Sequence, residues 1–231
     1  MAWAMISAII FAPFFIASSK MSLVAGPAWA KVSLWLVRII CGITYEVRGR
    51  ENITTAPAIY ASKHQSAWDT VRFLALFNNP AYVLKRELLR IPLWGWYLWR
   101  MRMIAIDRGA GASTMKQLIK QAKEVVADGR PIVIFPEGTR MPPGAPTQYH
   151  PGVLALYSQL KIPLVPIALN SGVFWGRNAF TKRPGKIIIE FLPAIAPGLP
   201  KDTLNLQMQA AIESATARLL NETGFTPIQG E

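Results

Sequence analysis

His64 and Asp69 stand five positions apart in the run Lys63-His64-Gln65-Ser66-Ala67-Trp68-Asp69, and together they hold the parts of an acid–base pair. An imidazole titrates close to neutrality. A carboxylate that accepts a hydrogen bond from one ring nitrogen fixes the tautomer and leaves the other nitrogen free to take a proton. Five residues of straight α-helix turn through about 140°, so the two side chains cannot meet on one helix. They can meet if His64 lies on a turn and Asp69 in the first helical turn, with Ser66 as the N-cap. The same residues also fit a capping box, in which Asp69 only satisfies backbone donors, and both readings stand at this point. Elimination sharpens the choice. His64 and His150 are the only histidines and Cys41 the only cysteine, so neither a disulfide framework nor a metal site is expected. No G-x-S-x-G elbow and no Walker A loop occur.

A second group is Phe135-Pro136-Glu137-Gly138-Thr139-Arg140, directly after the apolar run Pro131–Ile134. Loops at the carboxyl ends of strands are where α/β folds place ligands. Gly138 permits close backbone approach, Thr139 offers a hydroxyl, and Arg140 offers a fork that suits phosphate. A surface turn with a Glu–Arg pair is the plainer reading of the same residues. A third group, Asp107-Arg108 with Gly109-Ala110-Gly111, also follows a strand-like run. Arg108 there suits an anion, although the glycines do not form a dinucleotide fingerprint.

The elements that must carry these groups alternate between the two periodicities. Strands are expected at Ile43–Arg48, Pro57–Ser62, Tyr82–Leu84, Met103–Ile106, Pro131–Phe135, Pro163–Leu169 and Lys186–Phe191. Helices are expected at Trp68–Phe77, Pro92–Trp99, Ser113–Asp128 with Gly129 as its stop, Gly152–Gln159 and Lys201–Asn221. This order predicts an α/β fold: a mostly parallel mixed sheet flanked by helices.

The N-terminus has a different texture. Residues 1–19 carry no charge, and a second apolar stretch, Val24 to Ile43, is broken only by Lys31 and Arg38. Ala28-Trp29-Ala30 is similar to a signal-peptide cleavage site, but the positive segment expected ahead of the apolar run is missing. Lys31 and Arg38 share a helical face with Trp35, the pattern of a helix in a membrane interface with its cations at the headgroups. The expectation is a two-helix membrane anchor over 1–43 and an α/β catalytic domain over 44–231. Charge agrees with it. The chain carries 25 Lys and Arg against 13 acidic residues, a net charge of +12, which calls for an anionic partner. With eight Trp and no nucleic-acid-binding motif, an anionic membrane surface fits better than nucleic acid. The cluster Trp94, Trp96, Tyr97 and Trp99 could sit at headgroup level or in an aromatic core patch.

In this order the motifs resemble the glycerolipid acyltransferase family. The family pattern N-H-x4-D is met by His64 and Asp69, with Lys63 in place of the usual Asn. A second block is met only by Ile106 and Arg108, with Arg102 and Ala105 where Gly and Phe are usual. The third, F-P-E-G-T-R, is complete at Phe135 to Arg140. The fourth is met by Ile162-Pro163-Leu164-Val165-Pro166-Ile167. The resemblance implies transfer of a fatty acyl group to the sn-2 hydroxyl of a 1-acylglycerol-3-phosphate, giving phosphatidic acid. The donor would be a thioester of coenzyme A or acyl carrier protein, used as co-substrate, with no cofactor or metal. It implies His64 as general base, Asp69 as its orienting partner, and Arg108, Glu137, Gly138, Thr139 and Arg140 as holders of the acceptor phosphate. Lys85, in the basic pair Lys85-Arg86, would join them. It further implies an inner-membrane enzyme with its site on the cytoplasmic face. A family member acting on another lyso-lipid, such as a lyso-aminolipid, and a non-catalytic lipid-binding protein are the alternatives.

Overall fold

The computed structural model describes residues 19–107 and 112–225. Its regular elements are helix α1 (Ser19–Cys41), β1 (Ile43–Arg48), β2 (Ile59–Ser62), α2 (Ala67–Leu76), β3 (Ala81–Lys85), α3 (Trp94–Arg100) and β4 (Ile104–Ile106). They continue with α4 (Ala112–Ala127), β5 (Ile132–Ile134), α5 (Gly152–Leu160), β6 (Leu164–Leu169), α6 (Ser171–Phe174), β7 (Gly185–Phe191) and α7 (Lys201–Glu222). Short 3-10 turns at Arg50–Asn52 and Arg86–Arg90 complete the set.

Seven strands form one sheet in the order β1-β7-β6-β2-β5-β3-β4. Every neighbouring pair is parallel except β6 and β7, which run antiparallel. Five strands therefore point one way, and β7 and β1 point back. As a result the carboxyl ends of β2, β3, β4, β5 and β6 share one end of the sheet with the amino ends of β7 and β1.

Alternation along the central strands feeds two cores. Tyr60, Val133 and Val165 point to the face covered by α1, α2 and α3, where Trp68 and Phe73 are buried. Ile59, Ala61, Ile132, Ile134 and Leu164 point to the other face, against Leu118 of α4, Leu156 of α5 and Met208 and Ile212 of α7. Strands covered on both sides cannot show a polar face, which is why Pro131–Phe135 and Pro163–Leu169 read as unbroken apolar runs.

The anchor expected over 1–43 is only partly in view, since its first segment, residues 1–18, lies outside the described residues. What is described is a single helix, α1, with Pro27 inside it. Val24–Cys41 is long and apolar enough to cross a membrane by length and composition, but 22% of that window is buried against the rest of the protein. Ala25, Ala30 and Ser33 face inward, while Lys31, Trp35 and Arg38 are all exposed. The four-residue aromatic cluster divides. Tyr97 is buried, Trp94 meets Trp29 of α1 edge-on at 4.9 Å, and only Trp99 is left largely in solvent.

One buried cation ties the segment after α3 to the sheet. The Arg130 guanidinium donates to the carbonyls of Asn79 at 3.0 Å, Met101 at 2.9 Å, Arg102 at 3.3 Å and Pro80 at 3.5 Å. Desolvation pulls its pKa down, so these carbonyls replace water for it. Arg130→Met would strand buried acceptors at about 1–3 kcal/mol each. The expected outcome is a loss of at least about 2 kcal/mol in urea unfolding.

Candidate active site

The site is assembled at the shared end of the sheet, from the turns that leave β2 and β5. The β2 strand ends at Ser62, and α2 begins at Ala67 with Ser66 as its N-cap. The Ser66 Oγ accepts from the Trp68 N–H at 3.2 Å. In return, Asp69 Oδ2 accepts from the N–H groups of Gln65 and Ser66, each at 2.9 Å. The same Oδ2 lies 3.0 Å from His64 Nδ1. The two readings of Asp69 thus coincide: the carboxylate that caps the helix is also the one that holds the imidazole. Asp69 is fully buried and the His64 side chain is 13% exposed.

Phe135 fixes the other side of the imidazole, stacked on it with centroids 3.9 Å apart and planes 19° from parallel. The Tyr82 ring lies beyond Phe135 at 6.4 Å. Burial first, and the Asp69 charge second, push the Tyr82 hydroxyl well above its ordinary pKa. It donates to the Thr70 carbonyl at 2.6 Å. The turn after β5 reaches the histidine through backbone as well, since the Met141 N–H donates to the His64 carbonyl at 2.8 Å.

His64 opens onto a cavity of about 540 Å³. Its polar rim is Gly138, Thr139, Arg140 and Lys85, and its walls are apolar side chains of α2, α3 and β3 closed by Gly26 and Trp29 of α1. Gly138 sits at φ 67°, a conformation that suits glycine at this turn. Of the residues expected to meet substrate, His64, Lys85, Gly138, Thr139 and Arg140 line this one space. Arg108 lies outside the described residues, just past the end of β4. Among the described residues no group of three or more His, Cys, Asp or Glu could hold a metal ion. His150 is exposed and does not line the cavity.

Glu137 behaves differently from the expectation that it holds substrate. Its side chain turns away from the cavity and is buried, where Oε2 accepts the His64 N–H at 2.7 Å. Its other oxygen, Oε1, is 2.8 Å from Lys63 Nζ. Lys63 is itself buried and also meets Glu213 of α7 at 2.8 and 2.9 Å. Thr147 and Tyr149 close the group, donating to Glu213 Oε1 at 2.9 and 2.7 Å. The lysine that replaces the usual Asn is therefore the centre of a buried charge cluster behind the histidine. Sequence reading missed Glu213 because α7 offers only helical periodicity, and Lys63 was noted only as a departure from pattern.

Burial raises the Glu137 carboxyl above its ordinary pKa, with Lys63 and the His64 N–H opposing. A raised carboxyl keeps its proton in the folded state after the unfolded chain has released it, so its contribution to stability falls as pH rises from about 4.5 through the raised value. Lys63→Met removes the main opposing charge. Unfolding in urea at neutral pH should show a loss of about 3–5 kcal/mol, the usual result of leaving one buried partner unpaired. The pH range over which stability declines should also extend upward.

The geometry so far describes an α/β protein with a histidine–carboxylate pair at the edge of an apolar pocket. Comparison assigns that description to a class: the model of the Acyltransferase family matches residues 44–170, and the chain belongs to that family. Among individual relatives, the 1-acyl-sn-glycerol-3-phosphate acyltransferase of Pseudomonas aeruginosa is 42% identical over 167 residues, which cover 72% of this chain and 65% of that protein. The protein of the same name from Limnanthes alba is 31% identical over 69% of this chain and 57% of its own length. The chain thus spans less than two thirds of the length of these relatives. Among solved structures, the 1-acyl-sn-glycerophosphate (LPA) acyltransferase PlsC of Thermotoga maritima has the same fold, with a TM-score of 0.69. It is 22% identical, over 87% of this chain and 80% of that one.

Proposed function

We propose that the chain transfers a fatty acyl group from a thioester to the sn-2 hydroxyl of 1-acylglycerol-3-phosphate, producing phosphatidic acid. The observation that carries this reading is the His64–Asp69 contact of 3.0 Å at the mouth of an apolar cavity with a basic rim. The names of the relatives point to the same reaction.

In this mechanism the His64 Nδ1–H is donated to Asp69, which leaves Nε2 with a lone pair facing the cavity. Nε2 takes the proton of the acceptor hydroxyl as its oxygen attacks the thioester carbonyl. The tetrahedral adduct collapses by breaking the C–S bond, and the proton passes to the leaving thiolate. Acyl transfer is direct, with no covalent enzyme intermediate. Asp69 keeps the ring oriented and stabilises the transient imidazolium. Arg140, Thr139, Lys85 and the Gly138 backbone hold the acceptor phosphate, and Arg108 joins them. Glu137 acts from behind, fixing the His64 backbone rather than touching substrate. The apolar walls take the acyl chain.

The donor is acyl-coenzyme A or acyl-acyl carrier protein. The enzyme works at an anionic membrane surface, the inner membrane, with its site on the cytoplasmic face. The exposed apolar side of α1, including Trp35, Ile39 and Ile40, supports contact with a membrane surface.

The test is transfer of labelled acyl groups to lysophosphatidic acid by the full chain in membranes. His64→Ala should lower kcat by roughly 10²–10⁴-fold, the usual worth of a positioned general base. Asp69→Asn should lower it as well and also weaken the helix cap, by about 1 kcal/mol in thermal unfolding. Arg140→Ala should act chiefly on KM for the acceptor. Full activity in His64→Ala would sink the mechanism.

A further inference from the structure

The single reversal in the sheet brings an unassigned segment to the site. Because β7 runs against β6, its amino end stands beside the turns that carry His64 and Arg140, and so does the loop 175–184 that leads into it. The loop contacts the site directly, with Arg177 Nη1 donating to the Arg140 carbonyl at 3.3 Å. It is held in shape rather than trailing. Lys182 Nζ donates to the carbonyls of Ala179 and Phe180, each at 2.8 Å, and lies 4.9 Å from the centre of the Trp175 ring. The Arg183 N–H donates to the Phe174 carbonyl at 2.8 Å.

At the crest of this held turn Phe180 is 98% exposed, the highest value among the exposed large apolar side chains. A lone surface apolar residue needs no explanation, but this one stands among cations. Between Ser171 and Ile189 the chain carries four cations, Arg177, Lys182, Arg183 and Lys186, and no acidic residue; Lys186 pairs with Glu46 of β1 at 3.2 Å, which leaves the other three around Phe180. The loop ends against the turn that follows α1, where the Gly185 N–H donates to the Gly42 carbonyl at 3.1 Å. That turn continues from the exposed Trp35, Ile39 and Ile40 of α1. An aromatic ring raised among cations, continuous with an apolar helix face, is the arrangement that enters the headgroup region of an anionic bilayer.

We propose that the 175–184 loop is a second membrane-contact element, which inserts Phe180 below the headgroups while Arg177 and Arg183 pair with lipid phosphates. Together with α1 it gives the protein two points of contact that bracket one edge of the site, and so fixes how the cavity faces the lipid.

Binding of the full-length protein to vesicles tests this without reference to turnover, so failure here and failure of the proposed reaction are separate results. Phosphatidylcholine vesicles with and without phosphatidylglycerol serve as probes. Phe180→Ser should weaken partition to both by about ten-fold, the order expected for losing much of a phenyl group's burial. Arg183→Gln should weaken only binding to the anionic vesicles, by about five-fold. Both variants should keep the wild-type Tm, since neither side chain is buried. A dye placed at Phe180→Cys in a Cys41→Ser background should shift to the blue on adding vesicles. Unchanged partition of Phe180→Ser, or a dye that does not shift, would overturn the proposal. So would variants that bind vesicles normally yet lose turnover only with a carrier-protein donor, which would assign the surface to an acidic protein instead.

Discussion

Asp69 Oδ2 is the atom on which the site is built. It is fully buried, and it receives two backbone N–H groups and the His64 ring at 2.9 to 3.0 Å. The two backbone donors belong to the turn between β2 and α2, so the carboxylate sets the path of the chain that carries the histidine. Starting the helix and aiming the imidazole are one event, and the energy of a helix cap is spent on preorganisation. This resolves the distance problem posed by the spacing. His64 lies before the helix, Asp69 lies in its first turn, and Ser66 makes the corner between them.

The second constraint is the pairing of two loops that are remote in sequence. The turn after β5 supplies Phe135 to the face of the imidazole, Glu137 to the His64 N–H, and the Met141 N–H to the His64 carbonyl. The histidine is gripped on its ring, its amide and its carbonyl by one short segment. Parallel pairing of β2 with β5 makes this possible, because it brings their carboxyl ends out side by side. The cavity then needs only walls, and α1, α2 and α3 provide them on the face of the sheet where Trp68 and Phe73 are packed.

How much of this could be read in advance depended on whether the signal was local. Strand Ile43–Arg48 appears with the bounds its alternation predicted, and α4 is displaced by one residue from the 113–128 expected. The His64–Asp69 contact followed from a turn-then-cap argument that used seven consecutive residues. What local pattern could not reveal was direction. Glu137 lies in a motif whose neighbours line the cavity, yet its side chain turns inward, because the buried Lys63 at the end of the neighbouring strand pairs with it at 2.8 Å. Lys63 in turn needs Glu213 as its second carboxylate, and nothing in the periodicity of α7 marks that residue. The aromatic cluster at 94–99 was legible as a group, but its division between core and surface depended on the approach of Trp29 from α1.

The Lys63–Glu213 contact joins the histidine motif to α7, across 150 residues. Contacts of such separation form late, since the long loop must close before they are rewarded. On a growing chain the histidine, its aspartate and its second loop can all be in place while the lysine behind them still lacks one of its carboxylates. Synthesis of α7 supplies it. The site is thus completed by a helix far along the chain, so a nascent chain that stops short of α7 has the motifs in place without the support behind them.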